Sequence, residues 1–102
     1  MNAQTAAAQL KTAFKKVGHV KVEESEKSTI LSHYATAIVT VDNDKVLISN
    51  GGYFTVTTKK FINLALNTIG IRATISQRKG VWYLLNCGIE TEFKGSLSIT
   101  AN

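Results

Sequence analysis

The chain has 102 residues, 44% of them hydrophobic, one cysteine and a formal net charge of +5. That length suits a single domain over 1–102 with a modest core, and the hydrophobic share excludes a disordered chain. No apolar run approaches about 18 residues, so no membrane span is expected; one cysteine excludes an internal disulfide and suits a reducing compartment.

Residues 3–17 read as an amphipathic helix. Leu10, Ala13, Phe14 and Val17 recur at i, i+3, i+4 and i+7, and Ala3 and Ala6 extend the stripe. Gly18 is the expected C-cap, and Lys15 and Lys16 suit the negative end of the helix dipole. The stretch MNAQTAAAQLKTAFKK is acid-poor and amphipathic in the manner of a transit peptide, but it holds no arginine and closes like an ordinary helix. Residues 19–27 are charged and read as a connection. Strands are expected over 28–34 and 35–41, where β-branched and aromatic residues dominate. Asp42-Asn43-Asp44-Lys45 is a turn by its short hydrogen-bonding side chains. Residues 46–49 continue as a strand, and Asn50-Gly51-Gly52 turns again. Residues 53–56 either pair back or lead into the next helix.

That helix is expected over 58–69, with Ile62, Ala65, Leu66 and Ile69 on one stripe widened by Phe61. Thr57 is its expected N-cap, Val56 and Phe61 are spaced for a hydrophobic staple, and Gly70 ends it. Residues 71–77 alternate, with Ile71, Ala73 and Ile75 inward. Arg78-Lys79-Gly80 reads as a three-residue hairpin loop, which turns Val81, Tyr83 and Leu85 inward on the return. Residues 89–94 alternate again, and Leu97 and Ile99 mark a last short strand. Helix, strands, helix, strands is the order of an α+β domain: a mainly antiparallel sheet with an N-terminal helix and one central helix.

The charges are segregated. Residues 1–22 hold four lysines and no acid, and residues 45–82 hold six bases and no acid. A basic face follows. Its centre is the stretch TVTTKK before the central helix, where free backbone N–H groups and the positive dipole end favour an anion. Thr57 and Thr58 would add hydroxyls, and Lys59 and Lys60 ammonium groups. At about 100° per residue, Asn63 and Asn67 continue the same acid-free polar stripe, a composition suited to phosphates and base edges. The competing reading is a threonine cap beside two solvated lysines, since exposed helix charges cost little.

A second patch gathers Arg72, Arg78, Lys79 and Trp82. A three-residue loop would set Ser76 opposite Trp82 and Thr74 opposite Leu84, exposing the tryptophan as a base-stacking platform or a protein hot spot. Against this, a domain with so few aromatics more readily buries its one tryptophan under the first helix.

Other chemistry is thin. His33 reads as a polar strand residue. His19, His33 and Cys87 lack metal-ligand spacing, and Cys87 reads as a small, partly buried residue. Asp42-Asn43-Asp44 fails as a calcium loop, because Leu47 and Tyr53 stand where glycine and glutamate are needed. Glu90 and Glu92 read as a wet strand face. No phosphate-binding loop, dinucleotide fingerprint or nucleophile elbow is present. No metal, cofactor or enzymatic activity is expected.

The segment LSHYATAIVTVDNDKVLISNGGYFTVTTKKFIN resembles a group of small bacteriophage proteins. In these, S-Y-x-T-x-I-A precedes a hairpin, then an aromatic and a T-T-x-K/R-H/F-I-N helix start. The matching residues are Ser32, Thr36, Ala37, Ile38, Tyr53, Thr57, Thr58, Lys60, Ile62 and Asn63. His33-Tyr34 inserts one residue, and Phe61 stands where histidine is common. The resemblance carries over no activity; it implies a phage accessory protein in the host cytoplasm. The expected function is non-enzymatic binding of a host or phage macromolecule, as an inhibitor of a host defence or replication component. The alternative is non-sequence-specific nucleic-acid binding through the basic Lys/Asn face. The strand ending at Ile99 is a candidate edge for a homodimer.

Overall fold

The computed structural model describes residues 3–43 and 45–100. In chain order the described elements are α1 (Ala3–Ala13), β1 (Val20–Glu24), β2 (Ser28–His33), β3 (Thr36–Asp42), β4 (Lys45–Ser49), α2 (Val56–Thr68), β5 (Ala73–Arg78), β6 (Val81–Asn86), β7 (Ile89–Glu92) and β8 (Ser96–Thr100). The strands form two antiparallel sheets, a larger one ordered β1-β2-β3-β4-β8 and a smaller one ordered β5-β6-β7. The fold class is α+β, as the element order predicts.

In the larger sheet, cross-strand partners place Leu31, Val39 and Ile48 in one row and Val41, Val46 and Ile99 in the next. All six are buried, while Leu47 and Ser98 on the other face are exposed. Period-2 alternation thus gives one dry and one wet face. A bulge between Leu31 and Ser32 leaves Ile38 without a partner on β2, so Ile38 and Val39 are buried side by side. α1 lies across β1, β2 and β3, where the buried Thr29 hydroxyl donates to the Ala3 carbonyl at 2.6 Å. α2 packs on β5, β3 and α1, and its Phe61 meets Phe14, in the turn after α1, edge-to-face at 5.7 Å. The buried side chains of both helices and both sheets form one contiguous cluster.

Several boundaries differ from those the sequence predicts. α1 stops at Ala13, and residues 14–16 form a turn. Gly18 is therefore not its cap; His19, at φ 64°, turns the chain instead. The expected connection at 19–27 contains β1, an edge strand. Its Lys21, Glu23 and Glu24 mimic a loop composition, while Val20 and Val22 pack against the core. Residues 53–55 form no strand and lead into α2. The N-cap of α2 is Thr55, whose hydroxyl accepts the Thr58 N–H at 3.2 Å, so Thr57 is not the cap. Val56 is 71% exposed and staples nothing. The expected turn at 42–45 includes Asp44, which lies outside the described residues.

The largest correction is in the smaller sheet. The hairpin loop has two residues, Lys79 and Gly80, both at positive φ, so Arg78 pairs with Val81. A shift of one residue turns the whole strand over. Trp82 and Leu84 face the core, and Tyr83 and Leu85 face away.

Candidate functional site

Half of the predicted anion stripe on α2 is engaged within the protein. Asn63 turns both ends of its amide to Ile75, with Nδ2 donating to the carbonyl at 3.0 Å and Oδ1 accepting the N–H at 2.7 Å. Lys59 Nζ donates to Gln77 Oε1 at 3.3 Å. Thr58 is buried, and its hydroxyl accepts from the Thr55 hydroxyl at 2.9 Å. Thr57, Lys60 and Asn67 are exposed. Asn63 and Asn67 do share one hollow with Arg72 and Thr74, which joins the two predicted patches at that point.

The rest of the second patch separates. Trp82 is 1% exposed, stacked on Phe93 at 5.8 Å and met edge-on by Phe54 at 5.1 Å, so it offers no open stacking face. Arg78 forms a two-pronged ion pair with Glu90 at 2.6 and 2.8 Å, and its guanidinium lies 4.1 Å from the centre of the Tyr83 ring. The hydrogen bonds from Arg78 hold the Glu90 carboxyl below its ordinary range, and the same partner raises the arginine. The pair's contribution is therefore full above the free-glutamate pKa and is lost as pH falls through the depressed value. Lys79 is exposed at the tip of the turn. Cys87 is exposed in the β6–β7 turn at φ 52°, not partly buried. Among the described residues, no group of three or more His, Cys, Asp or Glu is placed to hold a metal ion.

The structure builds a different site at the N-terminal end of α2. A cavity of about 410 Å³ is lined by the β2–β3 turn (His33, Tyr34, Ala35, Thr36), by Ile38, by Asn50 and Tyr53, and by Thr55 and Thr58. Local sequence explains each wall. Asn50 caps its own turn, with Oδ1 accepting the Gly52 N–H at 2.8 Å. Gly51, at φ 61°, presses the chain against Thr36 so closely that a Cβ would lie 2.5 Å from Thr36 Cγ2. The two turns are therefore in direct contact beside the cavity. Tyr34 holds φ 56°, an unusual conformation for an aromatic residue. Its N–H donates to the His19 carbonyl at 2.7 Å, and the His19 and Tyr34 rings stack at 4.4 Å.

The rim is apolar. Tyr34 and Tyr53, which line it, are 65% and 62% exposed, and Phe54 and Val56, which follow Tyr53 in the chain, are 49% and 71% exposed. Sequence reasoning assigned none of these four, nor Asn50, to a site. The available signal was the run Asn50-Gly51-Gly52-Tyr53-Phe54, in which a tight turn delivers two aromatics to a helix start.

Among the described residues no helix is long and apolar enough to cross a membrane. No curated protein and no solved structure matches the chain. The family model described as Kyanoviridae Gp96 protein matches residues 1–99, a range that contains every residue of the phage-like motif, and the chain therefore belongs to that bacteriophage family.

Proposed function

We propose that this phage protein is a non-enzymatic accessory factor that binds a protein of the host or the phage, in the host cytoplasm. The contact surface would be the rim at the start of α2. The observation that carries this is that Tyr34 and Tyr53, two large and exposed aromatic side chains, line one cavity, with Phe54 and Val56 exposed just after Tyr53 in the chain. Aromatic anchors beside a pocket are the composition of interface hot spots. Lys60, exposed on the next turn, would set orientation and encounter rate more than affinity. Inhibition of a host defence or replication component is the role that such a surface would serve in a phage.

Nucleic-acid binding is the less supported reading, because Asn63, Lys59 and Arg78 already have partners within the chain. Two experiments separate them. Affinity capture from infected host cells would compare the wild type with Tyr53→Ala/Phe54→Ser and with Lys59→Glu/Lys60→Glu. The protein-partner reading expects a specific partner that the first double variant loses and the second retains. Fluorescence anisotropy with DNA and RNA at low and physiological salt is the counter-test. Tight binding that weakens steeply with salt and vanishes in Lys59→Glu/Lys60→Glu would replace the proposal.

A further inference from the structure

We infer that the cavity between the β2–β3 turn and the α2 N-terminus is a small-molecule site for a flat ring bearing a carboxylate. This goes beyond the rim's proposed contact with a protein and does not depend on it.

The cavity, at about 410 Å³, is within the range of ligand pockets and mixes apolar walls with a few polar groups. Two of those polar groups are donors with no acceptor opposite. Asn50 is fully buried in the wall, and its Nδ2 finds no hydrogen-bond partner among the described residues. Its Oδ1 is already held by Gly52, so the amide cannot be reversed to satisfy both ends. A buried amide left unpaired is costly and is normally matched by an acceptor. The Thr58 hydroxyl accepts from Thr55, which leaves its own proton to give. Thr55 caps the helix there, so the partial positive charge of α2 acts at the same end. No carboxylate is among the described lining residues. Two unpaired donors, at a positive helix end and with no carboxylate beside them, favour an anionic oxygen group over a cation.

The aromatic walls select the rest of the ligand. His33 and Tyr34 lie with ring centres 4.6 Å apart, and Tyr53 stands in the same lining. Faces of this kind favour a planar ring in offset or edge contact. Tyr34 is also held in its uncommon backbone conformation by His19, which fixes the ring at the mouth rather than leaving it to drift.

The test uses the full chain and benzoate as the probe, followed by amide NMR. Millimolar benzoate is expected to shift the signals of Tyr34, Asn50, Tyr53 and Thr58. Cyclohexanecarboxylate, which lacks the flat ring, and benzyl alcohol, which lacks the charge, are expected to bind more weakly. Thr58→Val keeps the side chain's shape and removes its donor, and should weaken benzoate about tenfold. Tyr53→Ala, at an exposed position, gives a second variant whose fold is not at risk, with the same expected direction. The proposal is overturned if benzoate moves nothing, or moves only Lys59, Lys60 and other surface lysines. It is equally overturned if folded Thr58→Val and Tyr53→Ala bind as well as the wild type. Such a failure leaves the protein-partner reading intact, since capture from cells needs no probe.

Discussion

Asn63 shows how a residue that suits a ligand can be spent on the fold. Its amide is a bidentate partner for the backbone of Ile75, and it fastens the middle of α2 to β5. Leucine in its place would leave a part-buried N–H and C=O unmatched. Asn63→Leu should therefore lower stability by about 1–3 kcal/mol in urea unfolding. Lys60→Glu, one turn away and exposed, should stay within about 0.5 kcal/mol of the wild type. Equal losses in the two variants would mean that the amide bridge is not what joins helix to sheet. In the sequence, Asn63 and Lys60 look alike as polar residues on an acid-free stripe. The difference lies in what stands opposite, and only the docking of the smaller sheet supplies that.

Among the elements, α2 gives the sharpest contrast, between the neighbouring threonines Thr55 and Thr57. Thr55 takes the extended backbone of an N-cap and receives the Thr58 N–H, whereas Thr57 lies within the first turn. Thr55→Ala should cost about 0.5–2 kcal/mol of stability, and Thr57→Ala should cost less than about 0.5 kcal/mol. A thermal or denaturant midpoint that falls more for Thr57→Ala would move the cap back to where the sequence suggested it. The apolar stripe Ile62, Ala65 and Leu66 was legible because a helix face repeats over three turns and tolerates errors at its ends. The strands β2, β3 and β4 were legible for a similar reason, from dense β-branched runs. The smaller sheet was not, because its orientation hangs on one loop length. Arg78-Lys79-Gly80 allows a two- or a three-residue turn, and the choice decides whether Trp82 or Tyr83 enters the core. β1 was missed because a charged edge strand and a charged loop have the same composition. The cavity was missed for a different reason, since its walls come from residues 33–38 and 50–58, which only the fold brings together.

At the scale of the whole molecule, the larger sheet ends in two open edges that are guarded unequally. β1 carries Lys21, Glu23 and Glu24, and such charges oppose pairing with another chain. β8, at the other end, reads Ser-Leu-Ser-Ile-Thr with no charge. Self-association through β8 is the expected outcome, with sedimentation showing dimer as concentration rises. Ser96→Lys/Ser98→Lys should return the protein to monomer. A wild type that remains monomeric throughout would assign the edge no such role.

The same strand has a consequence in time as well as in space. β8 pairs with β4, yet residues 50–95, with all of α2 and the smaller sheet, intervene between them. Joining the two strands closes a long loop, whose entropic cost must be met before the pairing is rewarded. Topologies of this kind fold slowly. β1 to β4 can assemble early from neighbouring hairpins, while β8 arrives only after the intervening unit has docked and brought Gly95 within reach of the Asn50 N–H at 3.0 Å. Until then β4, not β8, is the bare edge, with Lys45 at one end and an uncharged Val46–Ser49 run beyond it. The slowest interval of folding is thus the one in which this chain is most exposed to aggregation with its own copies.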